Sequence, residues 1–235
     1  MSDPRSRLIV ALDVPDRAAA IKAVERLAGH VGFFKVGLEI FTAEGPRLVQ
    51  EIRDRGENVF LDLKLHDIPN TVAGAVRSAC KLGVQMLTVH ASGGTKMLAA
   101  ACQEAQSAAS PPMILAVTAL TSLSETEING LGFPGAVDQW VERLATIAKD
   151  AGIPGLVASS SELPMLHRKF GNALRYVIPG IRPAGTATQD QSRVATPGQA
   201  IRDGADYIVV GRPIMQAQDP AQAADAIVKE ISETR

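Results

Sequence analysis

The sequence has few aromatic residues, only two cysteines and no long hydrophobic run. Aromatic residues make up 4% of the 235 residues, although the hydrophobic class as a whole reaches 46%. The apolar run at residues 8–12 follows a polar start and is too short for a signal-peptide core or a membrane span. Cys80 and Cys102 lie in predicted helices and lack metal-ligand spacing, so no disulfide is expected. These features predict a cytoplasmic protein with no membrane partner.

Charge of one sign is not concentrated anywhere in the chain. The sequence has 24 basic and 25 acidic residues, for a formal net charge of −1, and no basic block suited to a phosphodiester backbone. It also lacks a glycine-rich dinucleotide motif between a strand and a helix, a P-loop and a zinc-ligand spacing. We therefore expect no nucleic-acid partner, no dinucleotide cofactor and no metal.

What the sequence does contain is a repeated alternation of short, β-rich apolar runs with stretches of helical periodicity. Short strands rich in Ala, Val, Ile and Leu are typical of a parallel sheet covered by helices. The predicted strands span residues 8–13, 33–37, 59–64, 86–90, 113–117, 155–159, 175–179 and 207–211. This pattern predicts an α/β fold, a single-domain (β/α)8 TIM barrel over residues 1–235, with an open doubly wound sheet as the alternative.

Two connections that follow predicted strands are unusually long, at residues 118–135 and 180–196. Long connections of this type in a compact domain usually lie over the active site. The second connection is rich in Gly, Ala, Thr and Gln and has no apolar periodicity. We interpret it as a mobile lid.

The strongest signal for chemistry lies on the third predicted strand, which reads Val-Phe-Leu-Asp-Leu-Lys at residues 59–64. Side chains two residues apart on a strand share a face, so Asp62 and Lys64 are expected to point together into the barrel. Burying charges is costly even when they are paired, so stability alone is a poor explanation for this arrangement. A structural ion pair is the alternative interpretation.

Two further charges occupy the neighbouring strands, with Asp13 at the end of strand one and Lys35 inside strand two. The carboxyl ends of barrel strands meet at the face where active sites lie. The sequence therefore predicts an alternating Asp/Lys array at this face, with its charges at comparable depth. Asp67 follows the third strand at a helix start, where capping by Asp67 or Asn70 is the alternative to a functional role.

The loops after the seventh and eighth strands each combine glycine with arginine. Pro179 and Gly180 precede Arg182, and Gly211 directly precedes Arg212. In barrels these two loops often bind phosphate, because glycine exposes main-chain N–H groups and arginine can bind an anion through two hydrogen bonds. A phosphate site is predicted here, and surface arginines beside turn glycines are the alternative.

Two histidines lie near these strands. His90 ends the fourth predicted strand, where a hydrogen-bonded interior histidine is the more common case than a catalytic one. His66 continues the alternation from Lys64 and could face the site. The sequence assigns no role to either histidine.

The run at residues 62–71, Asp-Leu-Lys-Leu-His-Asp-Ile-Pro-Asn-Thr, closely resembles the signature of the orotidine 5′-phosphate decarboxylase family. The resemblance extends over nearly the whole chain, through residues 11–13, 35–37, 88–91, 120–122, 179–182 and 211–212. It implies a carboxy-lyase that converts orotidine 5′-monophosphate (OMP) to uridine 5′-monophosphate (UMP) without a cofactor, the last step of de novo pyrimidine nucleotide synthesis. It also implies a homodimer with shared active sites.

The resemblance further implies roles for individual side chains. Lys64 would donate a proton to C6, and Asp62 would face the departing carboxylate. Lys35 would hold the ribose region and orient the aspartates, while Asp13 would bind a ribose hydroxyl. Asp67 would be both a catalytic residue and a substrate contact, and Asp67 and Thr71 would reach the neighbouring subunit's site. The other implied substrate contacts are Ile68, Thr121 at the pyrimidine edge, and Pro179, Arg182, Gln191, Gly211 and Arg212 at the phosphate end.

Two other functions remain open from the sequence. One is a magnesium-dependent sugar-phosphate decarboxylase or aldolase of the same barrel class. Those relatives carry a glutamate metal ligand where this chain has Lys35, and an ammonium group would repel the ion. The other is a non-catalytic barrel that binds a phosphate ligand, although binding alone would not require Asp62 and Lys64 together.

Overall fold

The structure is a computed structural model that describes residues 3–133, 135–183 and 195–234. In these ranges eight parallel strands close into a barrel in sequence order, and β1 pairs with β8. The strands are β1 (Leu8–Ala11), β2 (Phe33–Gly37), β3 (Val59–Leu65), β4 (Met86–His90), β5 (Met113–Val117), β6 (Gly155–Val157), β7 (Arg175–Ile178) and β8 (Tyr207–Val210). The predicted (β/α)8 barrel is confirmed, and the open sheet is not what the chain forms.

Helices connect the strands and form the outer layer of the barrel. They are α1 (Arg17–Leu27), α2 (Leu38–Glu44), α3 (Pro46–Asp54), α4 (Pro69–Lys81), α5 (Gly94–Gln106), α6 (Glu125–Gly130), α7 (Val137–Asp150), α8 (Leu163–Phe170), α9 (Pro197–Arg202), α10 (Arg212–Met215) and α11 (Pro220–Glu233). Several begin at a polar cap. Asp16, for example, accepts a hydrogen bond from the Ala19 N–H at 2.8 Å. Within the described ranges, no helix has the length and apolar character needed to cross a membrane.

All eight strands begin at the predicted residue, and the differences from the predicted bounds lie at the carboxyl ends. β2, β4 and β5 have the predicted bounds, β3 extends one residue further, and β1, β6, β7 and β8 end one or two residues early. Asp13 therefore follows β1 instead of ending it, and the chain bends at Pro15 before α1 begins. β7 likewise stops before Gly180, which has φ +77°.

Two layers of apolar side chains surround the strands. A small cluster fills the inside of the barrel, and a larger one lies between strands and helices. The buried members of the inner cluster are Ile9, Ala11, Phe60, Met86, Leu115, Val177 and Val209. The barrel is therefore a packed core and not a pore, and polar chemistry is confined to the ends of its strands.

The two long connections have different outcomes. The connection at residues 118–135 contains α6, which begins with a capping box in which Ser124 and Glu127 exchange hydrogen bonds. In the second connection, the lid predicted at residues 180–196 lies mostly outside the described residues. Its described flanks meet, since the Arg182 N–H donates to the Ala195 carbonyl at 3.0 Å.

Candidate active site

Four charged side chains from the first three βα units form a row of alternating sign at the carboxyl ends of the strands. Lys35 Nζ lies 3.3 Å from Asp13 Oδ1 and 3.8 Å from Asp62 Oδ2. Lys64 Nζ lies 2.9 Å from both carboxylate oxygens of Asp62. We call Asp13, Lys35, Asp62 and Lys64 the charged row. Two positive and two negative groups thus share one small region of the barrel mouth.

Burial falls off along the charged row in both directions from its centre. The side chains of Lys35 and Asp62 are each 13% exposed, Lys64 is 34% exposed and Asp13 is 61% exposed. The expectation of comparable depth is therefore wrong for Asp13, which lies beyond the end of β1. Because Asp62 and Lys35 are largely out of water, their interaction is screened less than that of an exposed pair.

Lys64 does not continue the regular strand. It has φ +51°, the single positive value among the non-glycine residues that the structure describes. The register between β3 and β4 shifts at this point, since Leu61 pairs with Leu87 and the next paired residue is Leu65, with Val89. Asp62 and Lys64 do lie together, but the two-residue strand period is the wrong reason for it. A bulge brings them together.

Thr88 on β4 is a polar contact of this pair that the sequence analysis did not single out. Its side chain is fully buried, and its hydroxyl donates to Asp62 Oδ1 at 2.9 Å while accepting from the Lys64 main-chain N–H at 2.8 Å. Threonine is common in strands, so a threonine in an apolar run reads as ordinary packing. The feature of the sequence that could have indicated a role for Thr88 is that it is the one hydroxyl-bearing residue of Met86–His90.

The segment that follows β3 is exposed. Asp67 accepts a hydrogen bond from the Ile68 N–H at 2.6 Å, and Ile68 occupies the N-cap position before Pro69 opens α4. Capping of this helix by Asp67 or Asn70 is therefore wrong. Ile68 is 67% exposed, and Asp67 and Thr71 also face solvent. The structure leaves these three residues at the rim of the barrel and not within the charged row.

His66 and His90 lie beside the charged row. Their ring centroids are 5.5 Å apart, with His90 half-buried and His66 exposed. Burial lowers the pKa of His90, and the neighbouring His66 and Lys64 lower it further, against a smaller opposing effect of Asp62. His90 is therefore partly interior, and its neutral form is favoured.

The arginine loops lie at the ends of two neighbouring strands, since β7 pairs with β8. Arg182 and Arg212 are both partly buried, and Arg182 Nη1 donates to the Ile181 carbonyl at 2.9 Å. Gly211 is the N-cap residue of α10. A Cβ at Gly211 would lie 3.4 Å from Asp13 Oδ2, so the pairing of β1 with β8 brings this loop to the charged row.

The remaining predicted contacts lie around the same rim or outside the described residues. Pro179 follows β7 and Thr121 precedes α6, and both are partly buried. Gln191 falls outside the described residues. Gly37 ends β2, and a Cβ there would lie 3.0 Å from Lys35 Nζ, so glycine preserves the space that the ammonium group occupies.

The charged row is a poor metal site. Lys35 Nζ occupies the position between Asp13 and Asp62 where a divalent cation would need carboxylate ligands. Across the described ranges there is no group of three or more His, Cys, Asp or Glu residues that could hold a metal ion. What the row offers is a fixed ammonium group, at Lys64, directed at the barrel mouth.

Comparisons with known proteins agree over nearly the full length. The family model of the orotidine 5′-phosphate decarboxylase / HUMPS family matches residues 6–227. The orotidine 5′-phosphate decarboxylase of Moorella thermoacetica is 50% identical over 233 residues, 97% of this chain and 92% of that protein. The enzyme of the same name from Syntrophotalea carbinolica is 49% identical, over 98% of this chain and 96% of that protein. The crystal structure of orotidine 5′-phosphate decarboxylase from Lactobacillus acidophilus has a TM-score of 0.85 and 39% identity, covering 95% of this chain and 98% of that chain.

Proposed function

This chain belongs to the orotidine 5′-phosphate decarboxylase / HUMPS family, and from that membership we propose that its barrel, residues 1–235, uses Lys64 as the proton donor in a cofactor-independent decarboxylation. The activity itself is the carboxy-lyase reaction that converts OMP to UMP in pyrimidine biosynthesis, as in its relatives of that name. The observation that carries the assignment of Lys64 is its ammonium group, 2.9 Å from both oxygens of Asp62.

The proposed step breaks the bond between C6 and the carboxylate. Carbon dioxide leaves, the electron pair remains on C6, and Lys64 Nζ donates one proton to form the C6–H bond of UMP. Lys64 then regains a proton from water. A carbanion at C6 has no conjugated electron sink, so it is stabilised by a positive group already fixed in place. Asp62 supplies that fixation by accepting from Lys64 Nζ through both oxygens.

The other members of the charged row position the reacting groups. Lys35 lies within 4 Å of both aspartates, which supports its proposed role of orienting them and contacting the ribose. Asp13 is the most exposed of the four and is placed to accept from a ribose hydroxyl. We assign the main effect to the preorganised Lys64, with repulsion between Asp62 and the substrate carboxylate as a lesser term.

The phosphate end of the substrate is assigned to the loops after β7 and β8. Arg182 and Arg212 supply guanidinium groups, and Gly211 supplies close main-chain approach, with Pro179 beside them. Gln191 would also contact the phosphate, and Thr121 would contact the edge of the pyrimidine ring. Contacts made this far from C6 can contribute binding energy that aligns the substrate for the chemical step.

A homodimer would complete the site. Large apolar side chains are exposed after the neighbouring strands β2 and β3, with Leu38 at 61% and Ile68 at 67%. Exposed apolar side chains of this size at one rim favour a protein contact. Asp67 and Thr71 flank Ile68 on the same exposed segment, which supports the proposal that they reach the substrate bound to a second copy of the chain.

The cysteines support placement in the cytoplasm. Cys80 and Cys102 are both free thiols. Burial raises the pKa of Cys102 to about 11 and also raises that of Cys80, so both thiols stay protonated near neutral pH. Such thiols act as small apolar side chains, as is usual in a reducing compartment.

The magnesium-dependent alternative is not favoured. It needs carboxylates that converge on an open cation position, and Lys35 fills that position between Asp13 and Asp62. A non-catalytic binding barrel is also disfavoured, because binding a phosphate ligand does not require the partly buried Asp62–Lys64 pair.

The test of the proposed function is the loss of near-ultraviolet absorbance of OMP on addition of the purified protein in excess EDTA. We expect turnover by the parent and a loss of about 10⁴-fold or more in kcat for Lys64→Ala, because the proton donor and the fixed positive charge disappear together. Lys149→Ala, an exposed lysine near the end of α7, is the matched control and should retain parental activity.

Absence of turnover by the folded parent would contradict the proposal, as would full activity of Lys64→Ala. Turnover that EDTA abolishes and magnesium restores would instead support the sugar-phosphate class of mechanism.

A further inference from the structure

We propose that Thr88 is a positioning residue for the reaction, whose hydroxyl sets the geometry of the Asp62–Lys64 pair. The inference rests on the proposed role of Lys64 and concerns how the chain holds that side chain in place. Thr88 belongs to β4, is fully buried, and contacts both members of the pair through one oxygen atom.

The geometry of the bulge makes Thr88 the central residue. Between the paired positions Leu61↔Leu87 and Leu65↔Val89, β3 contains the three residues 62–64 and β4 contains only Thr88. The regular ladder of main-chain hydrogen bonds is interrupted over this stretch. In its place, the Lys64 N–H donates to the Thr88 side chain at 2.8 Å.

The backbone of Lys64 needs such support. A left-handed conformation of a residue with a Cβ is strained and persists only where its surroundings impose it. The hydrogen bond from the Lys64 N–H to Thr88 is one contact that does so. Loss of this acceptor would leave the N–H without that partner in a partly buried place and would favour a return to ordinary strand geometry.

The donor and acceptor roles of the Thr88 hydroxyl follow from its two partners. A main-chain N–H can only donate, so Thr88 Oγ1 accepts from Lys64. An ionised carboxylate can only accept, so the single hydroxyl proton of Thr88 is donated to Asp62 Oδ1, at 2.9 Å. One side chain therefore couples the Lys64 backbone to the carboxylate that holds Lys64 Nζ.

Threonine suits this task better than a flexible side chain. Its branched Cβ restricts the side-chain rotamer, so the hydroxyl stays directed at β3. Its methyl group fills space in a position with no exposure to solvent. Rigidity at this point matters because small misplacements of a reacting group cost large factors in rate.

The test compares Thr88→Val, which removes the hydroxyl at nearly constant volume, with Thr88→Ser, which retains it. We expect kcat for OMP to fall by about 10- to 100-fold in Thr88→Val with little change in KM or in the Kd for UMP. Thr88→Ser keeps the hydroxyl but loses the methyl group that restricts its rotamer, so its kcat should fall much less, by about threefold. If Thr88→Val does not fold, Thr88→Cys, with a weak donor of similar size, should lower kcat by about tenfold.

Thr118→Val is the matched control. Thr118 is also buried, follows β5, and donates its hydroxyl to the Val157 main-chain carbonyl of β6 and not to a member of the charged row. It should lose stability to a degree similar to Thr88→Val while keeping its kcat. The proposal is overturned if Thr88→Val keeps parental kcat, if its loss lies in KM, if Thr88→Ser is equally impaired, or if Thr118→Val loses as much.

Failure of the proposed function is distinguishable from failure of this inference. Turnover of OMP by the parent tests the proposed function alone. The ratios of kcat between the parent and the Thr88 variants test the positioning role of Thr88. If the parent is inactive, crystal structures of the parent and Thr88→Val still test whether Thr88 sets the geometry of the Asp62–Lys64 pair. An unchanged Lys64 backbone and Lys64–Asp62 distance in the variant would refute the positioning role.

Discussion

Lys64 owes its position to a conformation that an ordinary strand does not provide. Its φ of +51° and the interrupted ladder place its ammonium group within 2.9 Å of both Asp62 oxygens. From the sequence, the residues Asp62 and Lys64 and their proximity could be predicted. The bulge could not, because nothing in a run of alternating leucines distinguishes a regular strand from one that gains residues relative to its neighbour.

His90 carries a prediction about pH. Its pKa is lowered below its ordinary value of 6.5, first by burial and then by His66 and Lys64. Between the lowered folded value and 6.5, the unfolded chain binds a proton that the folded chain does not, so the free energy of unfolding falls as pH falls through this window. Above 6.5 both states are neutral and the contribution is constant.

We therefore expect His90→Gln to lose less stability than the parent when the pH is lowered from about 7 to about 5. The measurement is the urea midpoint of each protein across that range. Equal losses in parent and variant would show that burial does not bias His90 toward its neutral form.

The strands are the elements that the sequence predicts best. All eight are found, because apolar strands between helices carry a strong pattern, and β2, β4 and β5 have their predicted bounds. The carboxyl ends of the others were less predictable, because there the pattern gives way to residues selected for the site, such as Asp13. The α6 helix was missed because its six residues are too few to display a helical period.

The short strand β6 depends on a glycine for its packing. A Cβ on Gly155 would lie 2.7 Å from Leu115 Cδ2 and 3.0 Å from the Arg175 carbonyl oxygen, so the buried Leu115 side chain and the backbone of β7 would have to give way. Gly155→Ala should lower the free energy of unfolding by about 1–3 kcal/mol, as overpacking of a core does. Thermal or urea unfolding measures the change.

Gly130→Ala is the control for this substitution. Gly130 ends α6, and a Cβ there meets nothing within 4 Å. The variant should be as stable as the parent or slightly more so, since alanine is the better helix residue. A stable Gly155→Ala would mean that the Leu115 side chain and the backbone of β7 can move aside at little cost.

At the scale of the whole molecule, the exposed rim predicts self-association. Ile68→Asp should weaken the proposed dimer and lower activity, because a charge would be placed in an apolar contact and Asp67 and Thr71 would no longer reach the second site. Sedimentation velocity should give twice the mass of one chain for the parent and a shift toward one for the variant.

Leu131→Asp provides the comparison, since Leu131 is similarly exposed, at 65%, but lies beyond α6. It should leave the mass and the activity unchanged. A parent that sediments as a single chain with full activity would contradict the dimer. The sequence offered little guidance here, because one chain does not encode its contacts with another in any local period.

The pairing of β1 with β8 has a consequence for how the protein is made. The charged row is complete within the first 64 residues, whereas Arg212 follows the last strand. A ribosome therefore synthesises the aspartates and lysines well before the second arginine loop, and β1 keeps an open edge until β8 emerges. A chain cut short before residue 207 would carry the charged row without β8, so its barrel would stay open at the edge of β1.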